Sequence, residues 1–224
     1  MSHTVHPYAH RLGIIRDWKS RWFGEDKKFR DFLKADLTVR KFLAKALEYS
    51  HIAAIELERS KNTLRIVIKT GRPGLVIGRS GENLTKLRVA LLAEMKKRGV
   101  FDAKTEIKID VEEVRQIETS APLVAFGVKE AIEKRLPFRR VLKQTIEKVM
   151  ACRDVGGVRV RLSGRLNGAD MSRTEELKAG RIPLQTFRAD IDFHREKAHI
   201  AQGDIGIKVW VYRGEVFEAK QQQR

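Results

Sequence analysis

Two glycines three residues apart, set between an alternating apolar segment and a long amphipathic one, restrict this chain more than any other feature. In Val76-Ile77-Gly78-Arg79-Ser80-Gly81, Gly78 and Gly81 flank a basic and a small polar residue. Upstream, Leu64, Ile66 and Ile68 alternate with Arg65, Val67 and Lys69, the period of a half-buried strand. Downstream from Glu82, the residues Leu84, Leu87, Leu91, Leu92 and Met95 recur at helical spacing, and Gly99 ends the run. A backbone without Cβ atoms at that junction can approach a sugar-phosphate chain closely. The first N–H groups of the following helix are unpaired donors at the positive end of its dipole. A bare G-x-x-G is common, so its weight depends on the elements around it.

Those elements form a definite order. Asp36 can cap a helix whose shared face is Val39, Leu43, Ala46 and Leu47. A strand follows in which Ile55 and Leu57 alternate with Glu56 and Glu58, and Ser60-Lys61-Asn62 reads as the turn into the next. Gly71-Arg72-Pro73-Gly74 ends that second strand, and after the glycine loop and its helix a closing strand carries Ile107, Ile109 and Val111 inward. Helix, strand, strand, short helical turn, G-x-x-G, helix, strand resembles the prokaryotic-type KH domain, whose loop clamps about four nucleotides. The resemblance makes Arg72, Gly78, Arg79, Ser80 and Gly81 candidate RNA-binding residues. Replacing Gly78 and Gly81 by Asp is expected to spare the fold and weaken binding.

Beyond this unit, Ser120 can cap a helix with Pro122 in its first turn and Val124, Val128, Ala131 and Ile132 on its apolar face. Pro137 separates it from a second helix with Phe138, Val141, Leu142, Thr145 and Val149 on one side. Gly156-Gly157 then leads into strands: Val158, Val160 and Leu162; Phe187, Ala189, Ile191 and Phe193; Ile205, Ile207, Val209 and Val211, each set alternating with other residues. The expected class is α+β, a KH domain followed by a second α+β domain of two helices and an antiparallel-rich sheet. The expected divisions are an N-terminal basic and aromatic extension over 1–35, the KH domain over 36–114, the second domain over 115–218 and a flexible tail over 219–224. In the extension, cations such as Arg11 and Arg16 interleave with Tyr8, Trp18, Trp22 and Phe23. Such a segment either orders on a partner or packs on its own domain, and the two readings stand level.

Charge narrows the partner. Lys and Arg number 46 against 29 acids, a net charge of +17, which favours a polyanion. The longest apolar run, near Leu123 to Val128, is far short of the ~20 residues that span a bilayer, and Met1 to Leu12 carry no apolar signal core. A cytoplasmic, nucleic-acid-binding chain is expected, with no membrane partner. From Lys134 to Arg165 ten cations, among them Arg139, Arg140, Lys143, Arg159, Arg161 and Arg165, are opposed only by Glu147 and Asp154. Arg139, Arg140 and Lys143 fall on one helical face with no acid nearby in sequence, so the run reads as a phosphate-binding stripe.

Catalytic and metal sites are not expected, and no cofactor is implied. There is no G-x-x-x-x-G-K-[ST], the histidines are scattered, and no buried Lys with a partner acid is discernible. His6 and His10 can share a helical face, but no ligand cluster completes them. Asp190 and Asp192 read as a salt-bridged sheet face with Arg188 and Arg195, and the single cysteine, Cys152, as a small core residue.

The motifs together resemble the family of the third protein of the small ribosomal subunit, in its bacterial form. The matching stretches are Val5-His6-Pro7, Arg11-Leu12-Gly13-Ile14, Arg72 to Glu82 through the loop, and Phe138-Arg139-Arg140. Further on come Ser163 to Ala169, Arg181-Ile182-Pro183-Leu184, Arg188 to Asp192 and Gly206 to Trp210. The resemblance implies a structural role in the subunit head. Its implied partners are the small-subunit ribosomal RNA (16S), messenger RNA at the entry channel and neighbouring head proteins. It also implies that Arg139, Arg140 and Lys143 grip incoming message and help to open its hairpins. Gln144 stands where relatives often carry another cation, which weakens that grip. The rival readings are a free KH factor and a lyase acting through a lysine.

Overall fold

The computed structural model describes residues 5–60, 62–99 and 106–217, so Lys61 of the expected turn lies outside the described residues. Two compact units emerge. Trp18–Arg115 form one, and the described parts of Met1–Asp17 and Gln116–Arg224 form the other.

In the first unit, β1 (Ser20–Arg21), α1 (Asp26–Ala46), β2 (Ile52–Arg59), β3 (Thr63–Thr70), α2 (Pro73–Ile77), α3 (Glu82–Lys97) and β4 (Glu106–Glu113) follow in order. The sheet runs β1-β2-β3-β4. Strands β2 and β3 are antiparallel, while β1 and β4 join as parallel edges. Leu57, Leu64, Ile66, Ile68 and Ile107 meet Val39 and Leu43 of α1 and Leu87, Leu91 and Met95 of α3 in a core that excludes water. Alternation places one side of each strand against the helices, as the sequence periods require.

Three expectations change here. Helix α1 starts ten residues before Asp36, which is buried inside it and caps nothing. Trp22 Nε1 donates to Asp36 Oδ2 at 2.7 Å, and Arg59 Nη2 lies 3.6 Å from Oδ1. A buried carboxylate must find partners, and these come from segments distant in sequence, which a local capping rule does not see. Ala46 is exposed, and Ala35 completes the buried face instead. The aromatic stretch after Asp17 is also ordered within the unit: Trp22 packs on Phe29 and Phe32, and Arg40 donates to the carbonyls of Ile55 and Lys19.

The second unit carries α4 (Ala121–Glu133), α5 (Phe138–Met150), β5 (Gly157–Gly164), β6 (Arg173–Gly180), β7 (Ala189–Ile200) and β8 (Gly203–Glu215). Its sheet is antiparallel throughout, in the order β6-β5-β8-β7. Val158, Val160, Leu162, Ile207, Val209 and Val211 face Val124, Val128, Val141, Leu142 and Val149 of the helices. Strand β6 (Arg-Thr-Glu-Glu-Leu-Lys-Ala-Gly) has too little apolar alternation to announce itself in sequence. As an edge strand it is almost wholly polar, and charge on an edge discourages pairing with other chains. Phe187 precedes β7 and is exposed, so the strand's apolar alternation begins at Ala189.

Ser120 makes no side-chain cap on α4; Asp192 Oδ2 accepts from the Ala121 N–H at 2.9 Å and from Arg213 Nη2 at 3.0 Å. Asp190 pairs with Arg16 at 2.5 Å and Arg188 with Glu215 at 2.6 Å. The strand acids are therefore ion-paired, with partners other than Arg188 and Arg195. Cys152 is half-buried against the helix-side core, and burial, with Glu118 and Asp154 adding, pushes its thiol pKa up. A buried lysine with a partner acid does exist: Lys129 is 6% exposed, with Nζ 3.6 Å from Glu196 Oε1. The hydrogen bond from His194 is the main cause holding Glu196 below the usual carboxylate range, so a full negative charge faces the amine.

Residues 5–17 lie on the sheet face opposite the helices, where Ala189, Ile191, Trp210 and Phe193 form a small second core. His6 meets Phe193 edge-on and His10 stacks on Phe187. Arg11 is the fastener. Its side chain is fully buried, and it donates to the carbonyls of Ala189 (2.6 Å), Pro7 (3.0 Å), Leu184 (3.0 Å) and Thr186 (3.0 Å). Burial is the largest influence on its pKa and lowers it. Of the two readings of this segment, packing on its own domain describes residues 5–17.

Candidate nucleic-acid interface

In the first unit the loop geometry follows from residue type. Buried Thr70 at the end of β3 donates from Oγ1 to the Ser50 carbonyl at 2.6 Å and accepts from the Arg72 N–H at 3.1 Å. Pro73 opens α2, where its missing N–H costs nothing. Gly78 then takes φ 73°, ψ −175°, a region essentially closed to other residues. Ser80 (φ 51°) and Gly81 (φ 80°) are left-handed, and α3 begins. Arg72, Arg79 and Ser80 are exposed beside exposed Leu75 and Ile77. Backbone, cations and an apolar strip are thus offered together, the combination a clamped single strand requires.

The two glycines are not equivalent. A Cβ on Gly78 would stand 2.6 Å from the Asn83 side chain, whereas one on Gly81 would meet nothing within 4 Å. The expectation that both accept Asp without harm is therefore withdrawn for Gly78, where strain and clash would disorder the loop itself. Gly81→Asp is expected to cost about 1–2 kcal/mol of stability and to weaken RNA binding, since Asp would put a carboxylate where phosphates approach. Filter binding of an unstructured RNA, alongside hydrogen exchange of α3, measures both. Unchanged binding would remove this loop from the interface.

In the second unit the cations of 134–165 do not form one surface. Pro137 and the buried Phe138, Val141, Leu142 and Val149 seat α5 on the sheet, leaving Arg139, Arg140 and Lys143 exposed on its outer side. Strand β5 turns its apolar residues toward α5, so the alternate residues Arg159 and Arg161 lie on the far face of the sheet. Period 3.6 and period 2 send neighbouring cations to opposite sides of one layer. Arg139, expected to lack an acidic neighbour, has one from the unforeseen strand β6: Glu175 at 3.5 Å, itself also 3.3 Å from Arg173. Among the described residues Arg140 and Lys143 have no acid within salt-bridge distance, so that face remains positive. Arg165 is pinned within its own loop by the Ala169 carbonyl at 2.9 Å and Asp170 at 3.4 Å. Arg159 pairs with Glu176 at 2.5 Å and lies 5.0 Å from the Trp210 ring centre.

A KH unit followed by a helix-on-sheet unit with an exposed cationic helix defines an RNA-binding protein with a second, non-KH domain. The chain matches the KH domain model over residues 38–119 and the model of "Ribosomal protein S3, C-terminal domain" over 128–211. It is 42% identical to small ribosomal subunit protein uS3 of Hydrogenovibrio crunogenus over 97% of this chain and 92% of that one. Against uS3 of Methylococcus capsulatus identity is 43% over 97% and 94% of the two chains, and against that of Clostridium perfringens 41% over 100% and 97%. The chain belongs to the uS3 family of small ribosomal subunit proteins, whose members are ribosomal constituents and not enzymes. No described helix is long and apolar enough to cross a membrane.

Proposed function

We propose that the chain is built into the head of the small ribosomal subunit, holds the 16S ribosomal RNA and neighbouring head proteins, and lines the entry path of messenger RNA. The observation that carries the message role is the outer face of α5. Arg139, Arg140 and Lys143 project there on a helix anchored from behind by Phe138, Val141, Leu142 and Val149, and among the described residues two of the three have no acid within salt-bridge distance. A rigid row of cations can grip phosphates of either strand of an opening hairpin without reading bases. The ribosome's own movement supplies the work, and the cations keep separated strands apart. The glycine loop offers a further single-strand site in the KH unit.

Two measurements test this reading. The purified chain should bind single-stranded RNA with a log–log salt slope of about −0.7 per phosphate contact, several contacts giving a steep fall; a flat response would assign the +17 charge to solubility. On a sucrose gradient of cell extract the chain should run with small subunits and polysomes. A chain found mostly in the soluble fraction would be a free KH factor instead.

A further inference from the structure

The sheet face turned away from α4 and α5 carries an arrangement that the message-entry reading does not use. Strand register places Arg161 of β5 opposite Lys208 of β8, and Lys208 opposite Arg195 of β7. Three cations therefore stand side by side across three strands, roughly 10 Å from end to end at a strand spacing of about 4.8 Å. Like charges directly opposite one another destabilise a sheet, yet among the described residues none of the three has an acid within salt-bridge distance. The nearest candidate is occupied: Glu176, in register with Arg161, is held by Arg159 at 2.5 Å. The next row along the strands reads Arg159, Trp210, Phe193. Together the two rows line an open cleft of about 200 Å³, rimmed by His6 and Pro7 of the N-terminal segment.

We propose that this row is a second RNA-backbone site of the chain, taking the phosphates of a single-stranded segment along Arg161, Lys208 and Arg195. Two planar guanidiniums flank a flexible ammonium, so the ends can bind phosphate oxygens in pairs while the centre adds a point charge. An anion seated there removes the repulsion that the register imposes. The sheet underneath holds the spacing, because Arg161 and Lys208 alternate with Val160, Leu162, Ile207 and Val209, all buried in the helix-side core. The cleft floor is equally fixed, with Trp210 packed between Phe193 at 5.1 Å and Arg159 at 5.0 Å. Arg139, Arg140 and Lys143 stand on the other side of the same layer, so the two sites meet different stretches of RNA. The inference rests on the RNA-binding reading above and extends it to a surface which that reading leaves bare.

The test uses the full chain with Arg161, Lys208 and Arg195 all changed to Ala. Its fold is expected to survive, with thermal stability equal to or above the parent, because the change removes opposed like charges. Binding to a short oligouridylate should show a log–log salt slope shallower by about 2, three contacts at about 0.7 each. Adding Arg139→Ala, Arg140→Ala and Lys143→Ala should flatten the slope by a further, separate increment. Parent and row variant binding with the same slope would overturn the row as an RNA site while leaving the RNA-binding reading intact. A parent that binds no RNA would sink the reading itself. A poly-glutamate peptide captured by the parent and lost by the row variant, with RNA binding unaltered, would make the row a docking surface for an acidic protein and overturn the proposal. A variant that fails to fold would contradict the repulsion on which the proposal stands; Lys208→Gln alone, expected to raise the melting temperature, checks that point independently.

Discussion

Small subunits carrying Arg139→Ala, Arg140→Ala and Lys143→Ala together are expected to translate a message with a stable downstream hairpin about five- to tenfold more slowly, relative to an unstructured message, than parent subunits do. A single-strand phosphate contact enters the salt dependence with an exponent of about 0.7. At ~0.1 M salt each contact is thus worth a factor of about five in strand affinity relative to 1 M. Three lost contacts matter most where strands must be kept apart, and least on a message with nothing to open. The fold should hardly respond. All three side chains are exposed, Ala is the best helix former, and exposed changes of this kind usually stay within about 0.5 kcal/mol. Glu175, the acid that pairs with Arg139, keeps Arg173 at 3.3 Å when Arg139 is gone. Toeprinting on the two messages reads the effect. Equal slowing on both, or failure of the variant to enter subunits, would make this helix an anchor on ribosomal RNA.

Arg11→Ala should produce the largest loss of stability of any single change named here, about 3–5 kcal/mol, the usual range when one partner of a buried charged network is removed. The side chain is fully buried, and its guanidinium is the shared donor for carbonyls of Pro7, Leu184, Thr186 and Ala189. Removing it takes a charged donor from those carbonyls, of which Thr186 keeps the Ala189 N–H at 3.2 Å, and opens a cavity beneath residues 5–17. Lysine retains a charge without the planar fork, so Arg11→Lys should recover only part of the loss. Hydrogen exchange separates the two units: protection should fall in β7, β8 and residues 5–17, and stay at parental levels in α3 and β4. A loss under about 0.5 kcal/mol would mean that the Pro183 to Thr186 loop and the N-terminal segment stand without this fastener.

Periodicity made most of the elements legible, because strand and helix patterns are local. Leu64, Ile66 and Ile68 in alternation, and Leu87, Leu91 and Met95 at helical spacing, announce their buried sides whatever packs against them. A local capping rule misplaces the start of α1, since Asp36 resembles a cap in sequence but in the structure is a buried carboxylate that accepts from Trp22 and pairs with Arg59 at 3.6 Å. Strand β6 escaped notice because an edge strand with little apolar alternation carries no period to read. The glycine loop was evident from residue type, yet only its dihedral angles separate Gly78, where a side chain collides with Asn83, from Gly81, where it meets nothing.

The amino-acid order by itself determined the two-part α+β architecture, the loop between α2 and α3, the excess of positive charge and the family, each a matter of local pattern or composition. Tertiary structure alone decided which charges act together. Arg139 and Arg161 belong to one basic run in the chain, but helix and strand periods send them to opposite sides of a layer. Arg161, Lys208 and Arg195 are remote in the chain and become neighbours only through the register of β5, β8 and β7. Arg11 looked like one more cation of a basic extension and proved to be a buried fastener, because the carbonyls it binds are gathered from segments over 170 residues away as well as from Pro7. Electrostatic neighbourhoods depend on distance through space, and sequence reports that distance only within an element.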